Sequence, residues 1–125
     1  MVKNEYKKGT ESVCELMYLK EMMKGNKKSI LGVIDVFLIQ ISEELFSLNE
    51  AVSQTNYAII KSFSHTMKST VSIMGISCLV PLLKEMEDLA KIAGGIEKIT
   101  ELNQQLNLIC EKAIEEIENA RLNFV

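Results

Sequence analysis

The histidine in the stretch SFSHTMKSTVSIMG, residues 62–75, stands in a setting that suits phosphoryl chemistry. It is His65, the single histidine of the chain. On a helix with about 100° per residue, its nearest neighbours on the surface carry ammonium or hydroxyl groups: Lys61, Ser62, Lys68, Ser69 and Ser72. A neutral imidazole is a nucleophile near pH 7, ammonium groups attract a phosphoryl group, and hydroxyls donate to its oxygens. The combination favours transfer of a phosphoryl group to and from His65.

Other uses of His65 fit the pattern less well. A mainly apolar group of residues in the same predicted helix clusters on the opposite side, which argues against a packed core histidine: Ile60, Phe63, Met67, Thr70 and Met74. A transition-metal site needs several converging ligands, and the helical neighbours of His65 are cationic or hydroxylic. We expect no acidic side chain beside the ring to activate water for hydrolysis. From the helical positions alone, a surface histidine without a function remains an alternative.

The elements that position His65 are predicted to be helices, because one proline and six glycines leave few breaks in the chain. Apolar residues recur with the 3.6-residue period of amphipathic helices. The predicted helices cover 12–24, 27–48, 57–74, the span from a Ser77 cap to Gly94, and 96–123. Short loops between them favour antiparallel neighbours. We therefore predict an all-α fold over 12–124: an antiparallel up-and-down four-helix bundle with a short additional N-terminal helix packed across one end, preceded by a flexible segment at 1–11.

Two details of this pattern bear on the surface of the bundle. Gly75 can end the helix of His65 in a left-handed conformation, and Ser77 can cap the next helix. Val36 and Ile39 lie off the apolar face of the helix at 27–48 and leave surplus apolar surface there. Either the N-terminal helix covers them or a partner docks on them.

Composition excludes several classes of protein. The chain has 125 residues, ordinary for one domain, and its net charge of −3 argues against nucleic acid as a partner. Its three cysteines are widely spaced and odd in number, which is typical of reduced thiols in the cytoplasm. The most apolar run, at 30–41, is too short to span a bilayer and contains Asp35. We expect a cytoplasmic protein without direct membrane contact.

The pattern around His65 resembles the signature of histidine-containing phosphotransfer (HPt) domains. That signature reads His-x-Leu-Lys-Gly, followed by a glycine ten positions after the histidine. His65, Lys68 and Gly75 match in place, Met67 stands for the leucine, and Ser69 stands where the family has glycine. The resemblance extends to 18–52 before the histidine helix and to 78–91 after it, and covers about residues 12–122.

The resemblance implies a phosphorelay role. His65 would accept a phosphoryl group from the aspartate of one receiver domain and pass it to another, with Lys68 steadying the charge. Lys61, Ser69, Ser72 and Gly75 would support the site. The implied partners are response-regulator receiver domains and a hybrid sensor histidine kinase, and the receiver supplies Mg²⁺. The chain would need no cofactor of its own, would have no autonomous kinase activity because it lacks a nucleotide-binding motif, and is expected to be a monomer.

Two alternatives come from other classes of protein. The chain could be a helical interaction module that docks receiver domains without carrying phosphate, although His65 together with Lys68 argues against that function. It could also be a metal-binding bundle, which stoichiometric metal in the purified protein would reveal. The first alternative is tested by looking for acid-labile, base-stable phosphate on the protein.

Overall fold

The computed structural model of the chain describes Glu21 and residues 26–123. In this part the chain forms four helices: α1 (Lys27–Ser53), α2 (Tyr57–Ile73), α3 (Leu79–Lys91) and α4 (Ile96–Arg121). Short connections join them. Each helix packs against the next one along the chain, and α4 packs against α1. The predicted up-and-down four-helix bundle is confirmed. Apart from Glu21, the helix predicted at 12–24 lies outside the described residues, and so does the flexible segment predicted at 1–11.

The core consists of the apolar stripes that the periodicity predicted. Each helix contributes fully buried side chains, among them Ile34, Ile41, Met67, Leu83, Met86 and Leu106. Helix α1 runs five residues beyond the predicted end at 48, because Ala51 and Val52 continue its buried face. None of the helices within 26–123 combines the length and the apolar character needed to cross a lipid bilayer.

The helix that carries His65 has defined ends. At its start, the side-chain oxygen of Asn56 accepts a hydrogen bond from the backbone N–H of Ile59 at 3.2 Å, which satisfies one of the free donors there. At its end, Gly75 adopts a φ of 65°, the left-handed conformation that the sequence predicted. The N–H of Gly75 donates to the carbonyl of Ser72 at 3.0 Å. These bonds fix the length of α2.

The start of α3 differs from the prediction, which placed a Ser77 cap there. Cys78 occupies the cap position without a side-chain hydrogen bond. The first N–H groups donate instead to backbone carbonyls, from Leu79 to Ile76 at 3.1 Å and from Val80 to Ser77 at 3.2 Å. The Ser77 cap was therefore wrong, because a tight backbone turn already satisfies these donors.

Polar contacts hold α1 against both of its neighbours. Arg121 of α4 donates through Nε to Asp35 at 2.6 Å and through Nη2 at 3.3 Å. On the other side, Thr70 of α2 donates through its hydroxyl to the buried carboxylate of Glu44 at 3.3 Å. Apolar packing holds the helices together, and these directional contacts fix how α1 is aligned with its two neighbours.

Candidate functional site

His65 lies near the middle of α2, and its ring is outside the core. Its side chain is 68% exposed, whereas Met67 and Thr70 on the other side of the same helix are buried. The helical wheel predicted this separation. Any chemistry of the ring therefore takes place at the surface, where another protein can reach it.

A buried carboxylate from α3 bridges His65 and Lys68. Nδ1 of His65 lies 2.9 Å from Oε2 of Glu87, and Nζ of Lys68 lies 2.7 Å from Oε1 of the same carboxylate. Both oxygens of Glu87 are thus engaged with the two residues that the sequence singled out. The expectation that no acidic side chain lies beside the ring was wrong, because Glu87 comes from a different helix.

The sequence of α3 explains why Glu87 faces α2. Leu83 lies one turn before it and Ala90 three residues after it, and both are buried. Residues at these spacings share one face of a helix. Glu87 therefore belongs to the packed face of α3 by position, although its side chain is charged.

The contact with Glu87 selects one tautomer of the neutral ring. An ionised carboxylate only accepts hydrogen bonds, so Nδ1 of His65 must carry the proton that it donates to Glu87. The lone pair of the neutral ring is then on Nε2. Since Nδ1 contacts Glu87 and the ring is exposed, Nε2 is the ring nitrogen left available for chemistry at the surface.

Electrostatics keep Glu87 ionised. The hydrogen bond from Lys68 holds the pKa of the Glu87 carboxyl below its ordinary value; burial opposes this effect, and the contact with His65 adds to it. The side chain of Lys68 is 24% exposed, so its ammonium group remains within reach of an approaching anion. The three residues form a compact charged cluster at the boundary between α2 and α3.

This lowered pKa predicts how acid affects stability. Because the carboxyl of Glu87 is more acidic in the folded chain, it stabilises the fold at neutral pH, and the contribution is lost as the pH falls through its folded-state pKa, below about 4.5. Thermal unfolding from pH 7 to pH 3 should show wild type more stable than Glu87→Gln at neutral pH, with the difference shrinking in acid. Glu85→Gln, an exposed position on α3, controls for net charge. A difference that grows in acid would contradict the assignment.

The other predicted site residues have different surroundings. Ser69 is exposed, and so is Lys61, which forms no ion pair with any residue from 26 to 123. Ser72 donates its hydroxyl to the backbone carbonyl of Lys68 at 2.7 Å, so this group is already engaged within the helix. Gly75 lies in the buried turn after α2. The structure therefore brings Lys68 to His65 through Glu87 and leaves the others at the margin of the site.

The arrangement is suited to an anion. Among residues 26–123, no three His, Cys, Asp or Glu side chains lie close enough together to hold a metal ion. At the site itself, His65 and Glu87 bond to each other and do not converge on a common point. Lys68 places an ammonium group beside the exposed ring, and ammonium groups favour contact with a phosphoryl group.

The bundle has the fold of a histidine-containing phosphotransfer protein. It superposes on the crystal structure of histidine-containing phosphotransfer protein B (HptB) from Pseudomonas aeruginosa PAO1 with a TM-score of 0.79, covering 88% of this chain and 95% of that chain at 19% sequence identity. At this identity the likeness establishes the fold, and the resemblance predicted from the sequence is confirmed at that level. No family model and no curated protein matches the chain.

Proposed function

We propose that the protein is a phosphorelay intermediate that carries a phosphoryl group on His65. One observation carries this proposal: the ring is exposed while its Nδ1 is held by the buried carboxylate of Glu87 at 2.9 Å. A carboxylate that fixes the tautomer and orientation of an exposed ring is the arrangement that reactive histidines commonly use. The fold shared with HptB supports the same function.

The proposed reaction starts at an aspartyl phosphate of a receiver domain. Nε2 of His65 attacks the phosphorus with its lone pair, the new P–N bond forms, and the P–O bond to the aspartate breaks to release a carboxylate. No proton needs to move, because Nδ1 already carries its own. The ring gains positive charge as the bond forms, and the Glu87 carboxylate at 2.9 Å stabilises that charge. Transfer to a second receiver reverses these steps.

Lys68 would serve the phosphoryl group and Glu87 together. An ammonium group has three N–H donors, so one can stay on Glu87 while another reaches a phosphoryl oxygen. Lys61, one turn before His65 and exposed, would add positive charge to the approach. The exposed Ser69 would leave room for the partner's active-site loops and offer a hydroxyl.

The proposed partners are response-regulator receiver domains, with a hybrid sensor histidine kinase as the original source of phosphate. The receiver would bring the Mg²⁺ that neutralises charge in the loose transition state of phosphoryl transfer. The chain would contribute no nucleotide site and no kinase activity of its own. Such partners place the reaction in the cytoplasm, and one phosphorylated histidine per bundle suits a monomer.

Phosphoryl loading by receivers tests the proposal. The full chain is mixed with a panel of receiver domains, each phosphorylated with acetyl phosphate in the presence of Mg²⁺. We expect label on the chain that is labile in acid and stable in base, as a phosphohistidine is, and loss of label when an unphosphorylated receiver is added. Receivers that bind the chain without loading it would instead indicate a docking module that carries no phosphate.

A further inference from the structure

The charges beside His65 are balanced before a phosphoryl group arrives. Oε1 of Glu87 lies 2.7 Å from the ammonium group of Lys68, so one negative and one positive charge compensate each other. Next to Glu87 on α3, Nζ of Lys84 lies 2.9 Å from Oδ1 of Asp88, and these two charges compensate each other as well. The unloaded site therefore places no excess of negative charge on the ring, which suits a neutral imidazole with its lone pair on Nε2.

A phosphoryl group on Nε2 would change this balance. A phosphoryl group carries about two negative charges at neutral pH. Lys68 already compensates Glu87, and the ammonium group of Lys61, one turn before His65, is exposed and screened by water. The loaded site is therefore negative overall. Because negative charge favours the protonated form of an imidazole, the ring holds the proton on Nδ1 more firmly after loading than before it.

We infer, on the basis of the proposed loading of His65, that Glu87 keeps the loaded ring protonated on Nδ1 and thereby shortens the lifetime of the phosphohistidine. Nδ1 lies 2.9 Å from Oε2 of Glu87, whose side chain is only 7% exposed. A carbon atom of the ring separates Nε2 from Nδ1, so a phosphoryl group on Nε2 leaves this contact in place. The buried carboxylate then faces a positively charged ring at hydrogen-bond distance.

The proton on Nδ1 determines how readily the P–N bond breaks. In hydrolysis, water attacks the phosphorus and takes up the phosphoryl group as dihydrogen phosphate, while the electron pair of the P–N bond returns to Nε2. With a proton on Nδ1 the leaving group is a neutral imidazole, and without it the leaving group is an imidazolate anion. The neutral ring leaves far more easily, and in a loose transition state the bond to the leaving group is largely broken. Glu87 therefore favours loss of the phosphoryl group to water.

Hydrolysis of the chemically loaded protein tests this role without any receiver domain. Phosphoramidate phosphorylates exposed histidines, and His65 is the single histidine of the chain, so the label has one possible position. The wild-type chain, Glu87→Gln and Asp88→Asn are loaded in this way, and ³¹P NMR follows the phosphohistidine from pH 5 to pH 9. Glu87→Gln keeps an acceptor oxygen and removes the charge. Asp88→Asn removes an exposed charge at the next position of α3 and serves as the matched control.

We expect the half-life at pH 7.5 to be about fivefold longer in Glu87→Gln than in wild type, because a charge-assisted hydrogen bond is stronger than a neutral one. The two half-lives should converge at pH 5, where an imidazole is protonated without help from a carboxylate. Asp88→Asn should match wild type at every pH. The ¹⁵N chemical shift of Nδ1 in loaded wild type should report a protonated nitrogen at pH 7.5, and circular dichroism checks that each variant is folded.

Three outcomes would overturn the inference. Equal half-lives of wild type and Glu87→Gln at pH 7.5 would mean that the charge does not set the lifetime. A difference that persists unchanged at pH 5 would assign the effect to packing, since the ring is protonated in both proteins there. A deprotonated Nδ1 in loaded wild type at pH 7.5 would contradict the role of Glu87 directly, whatever the stability of the variant. Failure of receivers to load His65 would instead contradict the proposed function and leave the measured lifetimes unchanged.

Discussion

Replacing His65 with glutamine is expected to abolish phosphoryl loading and to leave the fold almost unchanged. The ring is the proposed nucleophile, and an amide nitrogen cannot replace it because its lone pair is delocalised. The side chain is exposed, and the glutamine amide can still donate to Glu87. Substitutions at such surface positions change stability by about 0.5 kcal/mol or less, or about 3 °C in Tm for a domain of this size. Receiver-dependent labelling and thermal unfolding measure the two effects.

The neighbouring residue provides a matched control for this experiment. Thr66 is exposed on the same helix, so Thr66→Gln introduces the same side chain one position away from the ring. It should keep the wild-type level of acid-labile label. Label that persists in His65→Gln, or a loss of many degrees in Tm, would contradict the assigned role, since the second result would make His65 a packing residue.

The sequence predicted the helices well because their apolar residues recur with a clear period. The period indicated the stripes on α1, α2 and α4, and Gly75 indicated the end of α2. The start of α3 was less predictable, because any tight turn can satisfy the first N–H groups without the hydroxyl of Ser77. Apolar periodicity predicts which face of a helix is buried. It does not predict whether a side chain or a backbone turn caps the start of the helix.

The carboxylate at the site could not be predicted from the helix of His65, because it belongs to α3. Glu87 lies on the same helical face as the buried residues Leu83 and Ala90, where an apolar side chain is expected. A charged residue in an apolar stripe predicts a side chain on the neighbouring helix that pairs with it, since an unpaired buried charge is costly. That signal was present in the sequence, but only the packing of α3 on α2 shows that His65 and Lys68 are the partners.

Replacing Glu87 with alanine is expected to lower the rate of phosphoryl transfer by about 10–100-fold, the range found when a histidine loses its carboxylate partner at metal sites. The variant removes the acceptor for Nδ1–H, so the ring can turn and populate the tautomer whose lone pair is on Nδ1. It also removes the negative charge that stabilises the ring during attack. Glu87→Gln keeps an acceptor oxygen for Nδ1–H but lacks the negative charge, so it should recover only part of the rate.

Transfer kinetics and the ¹⁵N chemical shifts of the His65 ring together distinguish a positioning role of Glu87 from a merely structural one. The ¹⁵N chemical shifts of the His65 ring should report the Nδ1–H tautomer in wild type and Glu87→Gln and a mixture in Glu87→Ala, while receiver affinity stays the same in all three. Asp88→Ala removes an exposed carboxylate that pairs with Lys84 on the same helix, and its transfer rate should match wild type. If Glu87→Ala transferred phosphate as fast as wild type, the bridge to His65 would be a packing contact. If Glu87→Ala and Glu87→Gln slowed transfer equally, the rate would depend on the negative charge of Glu87 and not on the orientation of the His65 ring.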